Sequence, residues 1–166
     1  MVADPLVVLA GHGGLPAAHL ATVEMLMGES EGAIAIGLEV GQTPDDLVAR
    51  VTHELDAQPG RPCLLLVDLF GGSPATAAAG LFERYANLEI VTGLNLPMLL
   101  EVLLQRAGTD ARALAKVAAA AGQSGVINVR EWLDDGADGL MLADEAADSA
   151  RSDEERRRGG RQQEEG

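Results

Sequence analysis

The sequence is short of cysteine, of basic residues and of long apolar runs. Its 166 residues hold one cysteine, Cys63. No disulfide framework and no cysteine-based zinc site can form within one chain. Lys and Arg total 12 against 26 Asp and Glu, a net charge of −14. Such a balance argues against general binding to a DNA or RNA backbone, and anionic lipid surfaces repel it. Basic protein partners are favoured instead. No apolar stretch approaches the roughly 20 residues of a membrane-spanning helix. The longest are strand-sized, such as Leu64–Val67, so no direct membrane insertion is expected. Met1–Pro5 lacks the basic segment and apolar stretch of a signal peptide, which makes the cytoplasm the expected location. There is no Walker lysine, and Gly11-His12-Gly13-Gly14 is not a dinucleotide fingerprint.

What is present is enough apolar material for one core: 47% of the chain is hydrophobic. Short β-like runs alternate with helix-length segments. Leu6–Ala10 reads as a buried strand ending in the turn Gly11-His12-Gly13-Gly14, and Pro16–Met27 as a helix closed by Gly28. Ala33–Leu38 is a second strand. Thr43-Pro44-Asp45-Asp46 starts a helix running to about Asp56, with a Thr cap, Pro at the first position and acids in the first turn. Pro62–Val67, continuous in Leu and Val, suits a strand buried on both faces.

Ser73 is expected to cap, and Pro74 to start, a third helix reaching about Tyr85. Glu89–Thr92 is a fourth strand. Met98–Arg106 and Asp110–Ala121 are further helices, and Val126–Val129 is a last short strand. Residues 131–150 read as an acidic extension. Residues 151–166 hold no apolar side chain and read as a disordered charged tail. Strand–helix units in series imply parallel strands with right-handed crossovers, hence a three-layer α/β/α sandwich.

In such a sheet ligands bind beyond the carboxyl ends of the strands. Strand one there leads into His12, strand two into Glu39, strand three into Asp68 and then Gly71-Gly72-Ser73-Pro74, and strand four towards Asn95. If strands one and three are neighbours, His12 and Asp68 face each other. A carboxylate beside one ring nitrogen keeps it protonated and leaves the other as a nucleophile or base. Ser73 and the first N–H groups of its helix offer an anion site. Together these groups suggest a phosphorylated histidine. Singly each has a plainer use: His12 as a turn residue, Asp68 bonding turn amides, Ser73-Pro74 as a helix start.

His19 and His53 lie within helices and make no metal spacing with His12, so no metal or other cofactor is expected. A serine hydrolase using Ser73, His12 and Asp68 is a weaker alternative. Pro74 removes the backbone N–H that an oxyanion hole needs after the serine.

Four segments carry a family resemblance: Val7-Val8-Leu9-Ala10-Gly11-His12-Gly13, Glu24-Met25-Leu26-Met27-Gly28, Leu65-Leu66-Val67-Asp68-Leu69-Phe70-Gly71-Gly72-Ser73-Pro74, and Thr92-Gly93-Leu94-Asn95-Leu96-Pro97-Met98-Leu99, continuing into Glu101. In this order and spacing, over roughly Pro5 to Arg130, the chain resembles the mannose-type enzyme IIA of the bacterial sugar phosphotransferase system. The resemblance implies that His12 accepts a phosphoryl group from phospho-HPr and passes it to a IIB component. Asp68 would orient the imidazole, and Ser73 with the backbone of Gly13, Gly71 and Gly72 would hold the phosphoryl oxygens.

It also implies a phosphotransferase domain over residues 1–130 and a sheet order of 2-1-3-4. A fifth, antiparallel strand, matching Val126–Val129, would be exchanged between the subunits of a homodimer. The chain departs from the family where many members have a small hydroxyl residue immediately before the histidine; here it is Gly11. No fused IIB domain is seen, so a separate IIB partner is expected. Without one, the chain would be a regulatory module sensing phosphorylation state.

Overall fold

The structure, a computed structural model, describes residues 3–134 and 136. The chain divides after Val126 into two units. The first holds four strands, β1 (Leu6–His12), β2 (Ala33–Leu38), β3 (Cys63–Val67) and β4 (Leu88–Thr92), in one parallel sheet of order β2-β1-β3-β4. The five helices of this unit are α1 (Leu15–Met27), α2 (Pro44–Asp56), α3 (Ser73–Ala79), α4 (Leu96–Gln105) and α5 (Ala111–Ser124). The expected α/β sandwich and strand order are therefore observed. Among the described residues, no helix is long and apolar enough to cross a membrane.

Alternation along the two central strands builds the layers. Leu6, Val8 and Ala10 of β1 join Leu65 and Val67 of β3 against Leu47, Val51 and Leu55 of α2. Val7 and Leu9, with Leu64 and Leu66, turn to the other face and meet Val23 of α1, Leu99 and Val102 of α4 and Leu114 of α5. Every residue of β3 is buried, because helices cover both faces. Each fully buried Leu or Val removes enough apolar surface to contribute about 2 kcal/mol. The central strands are thereby fixed in depth and register, with Ala10 paired to Val67.

Local signals set the helix starts. Thr43 caps α2: its hydroxyl accepts from Asp46 N–H, and Asp46 Oδ2 accepts from Thr43 N–H at 2.7 Å. The Thr43 N–H first, and then the Thr43 hydroxyl, which also donates to Asp46 Oδ2 at 2.8 Å, hold the Asp46 carboxyl below the usual carboxylate range. Asn95 caps α4 by accepting from Met98 N–H, while its amide donates to the carbonyls of Gly93 and Gly122. Asn95 thus ties the loop after β4 to α5.

Three expectations need correcting. β1 continues through His12, so the histidine ends a strand rather than sitting in the turn after it. Gly72, in extended conformation, is the cap of α3, and Ser73 is its first helical residue. That helix stops at Ala79 and tightens into a 3-10 turn over Gly80–Glu83, where Gly80 interrupts the run of alanines. The third concerns Val126–Val129, expected as a strand and not one within the single chain. Residues 126–128 carry no regular structure and 129–134 are helical. A strand needs a neighbouring backbone to bond, and none is paired with this segment among the described residues. Its polar groups bond locally instead: Trp132 N–H donates to Asn128 O at 2.9 Å. The charged tail and most of the acidic extension lie outside the described residues.

Candidate functional site

His12 and Asp68 meet at the carboxyl edge of the sheet, because β1 and β3 are neighbours and each leads to its residue at that edge. Asp68 N–H continues the β1–β3 pairing by donating to Ala10 O at 3.2 Å. Asp68 Oδ2 then accepts twice from one residue, from His12 N–H at 2.8 Å and from the ring Nδ1 at 2.9 Å. The backbone bond fixes the carboxylate, and the fixed carboxylate fixes the ring. An ionised carboxylate only accepts, so Nδ1 carries the proton of the neutral ring. Nε2 keeps its lone pair and has no hydrogen-bond partner among the described residues.

Exposure separates the two roles. The Asp68 side chain is 8% exposed and that of His12 is 51% exposed. A half-exposed imidazole can meet another protein, while its orienting group stays shielded from water and keeps its strength. Asp68 Oδ1 is buried, with no partner among the described residues.

Glycines make this arrangement possible at two points. A Cβ on Gly11 would stand 2.6 Å from Asp68 Cγ and 3.0 Å from its Cβ. Asp68 occupies the space that a side chain at position 11 would need. In the sequence Gly11 reads as a turn glycine that allows close approach to His12 and as a departure from the family pattern; its contact with Asp68 appears once β3 lies beside β1. Gly13 has φ +53°, a left-handed conformation that other L-residues adopt with strain. It turns the chain from His12 into α1, and its N–H donates to Leu38 O at 2.9 Å.

The loop after β3 closes the site. A Cβ built on Gly72 lies 3.5 Å from His12 Cε1, so the start of α3 stands beside the imidazole. Gly71, with φ +73°, makes the turn that brings it there. Ser73 heads α3, and Pro74 follows within its first turn. Leu69 and Phe70 in the same loop are exposed, Phe70 at 85%. Sequence reading did not single these two out; an aromatic residue between the strand-end aspartate and Gly71-Gly72 was the available signal. Glu39 lies in the loop after β2, where its N–H donates to the Gln42 side chain. His19 bonds the Leu15 carbonyl of its own helix, and His53 is an exposed residue of α2.

The family model described as the PTS system fructose IIA component matches residues 6–119 of this chain. The chain belongs to that family. The matched span holds His12, Asp68 and all the candidate phosphoryl-binding residues. Among curated relatives, the PTS system fructose-specific EIIA component of Bacillus subtilis is 36% identical over 101 residues, which is 60% of this chain and 69% of that one. The mannose-specific EIIAB component of Escherichia coli is 35% identical over 60% of this chain, and the match spans only 31% of the longer protein. Among solved structures, a mannose/sorbose-specific IIA subunit from Enterococcus faecalis superposes with a TM-score of 0.71 at 28% identity, covering 76% of this chain and 95% of that one. The protein is therefore a IIA component of the mannose type in the sugar phosphotransferase system. Membership in a phosphotransferase family leaves the serine-hydrolase alternative without support.

Proposed function

We propose that this IIA component carries a phosphoryl group on Nε2 of His12, taking it from phospho-HPr and giving it to a IIB component. The observation that supports this most directly is the double contact of Asp68 Oδ2 with the backbone and Nδ1 of His12. In the forward step the Nε2 lone pair attacks phosphorus, and the phosphorus–nitrogen bond to the donor imidazole breaks. The donor ring leaves with the electron pair. His12 gains positive charge on its ring, which the Asp68 carboxylate beside Nδ1–H offsets. No proton needs to move. The phosphoramidate stays energy-rich, so the next transfer runs without a large drop in free energy, and catalysis reduces to position and charge.

The phosphoryl oxygens are assigned to the backbone of Gly13, Gly71 and Gly72 and to Ser73 at the head of α3. The exposed Leu69 and Phe70 beside the histidine give donor and acceptor proteins an apolar foothold. The cytoplasm is the location this chemistry requires. Residues 1–130 act as the phosphotransferase domain, followed by the extension 131–150 and the tail 151–166. A homodimer fits the same reading. Val126, Ile127 and Val129 are exposed apolar residues, and a second subunit would give this segment the strand partner it lacks within one chain. Light scattering that finds only monomer at micromolar concentration contradicts the dimer.

The deciding experiment is phosphotransfer. The protein is incubated with enzyme I, HPr and labelled phosphoenolpyruvate beside His12→Ala. Acid-labile label on the wild type and none on the variant is expected. Absence of label on the wild type with a cognate HPr, or label surviving in His12→Ala, overturns the proposal.

A further inference from the structure

The opposite edge of the sheet, where the strands begin, holds a second concentration of charge. Arg61 stands just before β3, Arg106 caps the carboxyl end of α4, and Gly32 forms the turn before β2. Both guanidinium groups converge on that glycine. A Cβ at Gly32 would lie 2.8 Å from Arg61 Nη2 and would overlap Arg106 Nη1. Two like charges thus share one spot in a chain whose net charge is −14.

Neither arginine has a carboxylate within salt-bridge distance among the described residues, where the only such pairs are His12–Asp68 and Arg84–Asp56. Arg61 is held by neutral acceptors, its Nε donating to Asp4 O at 2.8 Å and its Nη1 to Gln58 Oε1. Arg106 Nη1 is buried and has no partner among the described residues. Arg106 also lines an open cavity of about 330 Å³, with the backbone turn at Gly28 and Ser30, and with Glu29 and Glu31.

A buried guanidinium donor without an acceptor, facing a second guanidinium, is unfavourable as it stands. A planar fork of N–H groups matches the oxygens of a tetrahedral oxyanion. We infer that Arg61 and Arg106 form an anion-binding site of the phosphate class at the Gly32 turn, separate from the His12 edge. Gly32 lets both guanidinium groups close on the turn, because a side chain there would collide with them. Glu29 and Glu31 are the competing occupants: a carboxylate swung inward would neutralise the pair from within the chain.

The test follows thermal melting of the full chain in inorganic phosphate, against sodium chloride at matched ionic strength. Wild type is compared with His12→Ala, Arg61→Gln, Arg106→Gln and Glu31→Gln. A ligand that binds only the folded state raises the melting temperature with its concentration. Phosphate is expected to raise that of wild type and His12→Ala by several degrees beyond the chloride control. Arg61→Gln and Arg106→Gln are expected to lose most of this shift. Arg106→Gln should melt at or above wild type without phosphate, since a like-charge contact is gone, and should still accept phosphoryl groups on His12. Glu31→Gln should bind phosphate at least as well as wild type.

An equal phosphate response in both arginine variants overturns the site. So does a wild type that responds no more to phosphate than to chloride, or a response that vanishes in His12→Ala. A Glu31→Gln variant that melts lower while phosphate has no effect on wild type shows the pair neutralised from its own turn, which also overturns it.

Discussion

The body and the tip of the same two strands are built on opposite terms. Along Leu6–Ala10 and Cys63–Val67 no residue is more than 2% exposed. One to three residues further on, His12 is half exposed, Asp68 has one oxygen without a partner among the described residues, and Phe70 stands almost free in solvent. The buried stretch uses interchangeable Leu and Val and is specified by packing. The tip is specified by particular contacts, such as the two bonds that Asp68 Oδ2 accepts from His12. The buried body gives the tip its accuracy: parallel pairing of β1 with β3 puts a carboxylate within 2.9 Å of a chosen ring nitrogen.

This contrast predicts that mutations in the body and at the tip separate stability from transfer rate. Leu65→Ala, in the body, removes a side chain with no exposed surface. It should cost about 3 kcal/mol in urea denaturation, as expected for a cavity in a packed core, and leave the rate of phosphoryl acceptance per folded molecule unchanged. Asp68→Asn, at the tip, keeps the shape and removes the charge. Its transfer rate from phospho-HPr, read by rapid-quench labelling, should fall about 100-fold, with a much smaller stability change than Leu65→Ala. If Leu65→Ala slowed transfer as much as Asp68→Asn, body and tip would not be separable.

Gly13→Ala sits at the boundary. Its left-handed φ makes the variant about 1 kcal/mol less stable, again by urea denaturation. The smallest effect belongs to Cys63 in the body. Burial pushes its thiol up to about 12, from an ordinary value of 9.0. The thiol therefore stays protonated in the folded chain when the unfolded chain has lost its proton. Its contribution is fully present below pH 9 and is lost as pH rises from 9 towards 12. Cys63→Ala should flatten that part of the stability profile. A thiol reagent should label Cys63 only when the chain unfolds; fast labelling of the native protein would show the body less sealed than described.

Body and tip also differ in how far the sequence alone announces them. The apolar run Cys63–Val67 and the Thr43-Pro44-Asp45-Asp46 start of α2 are local signals, and the structure uses each as they suggest. The strand order came with the family resemblance, and the pairing of His12 with Asp68 depended on β1 and β3 being neighbours. Less legible was everything set by contact across strands. That Gly11 makes room for Asp68, and that Asp68 grips the His12 backbone as well as its ring, depends on register between segments more than fifty residues apart. The start of α3 misled, because Ser73 before Pro74 has the composition of a cap while Gly72 takes the cap conformation. Val126–Val129 has strand composition, but composition cannot supply the neighbouring strand it needs.

The central claim is that Asp68 holds Nδ1 and leaves Nε2 to take the phosphoryl group. Phosphorus and nitrogen NMR of the phosphorylated, ¹⁵N-histidine-labelled protein tests it directly. The account predicts phosphorus bonded to Nε2 of His12 with Nδ1 still protonated. Phosphorus on Nδ1 of His12, or on Ser73, would contradict it.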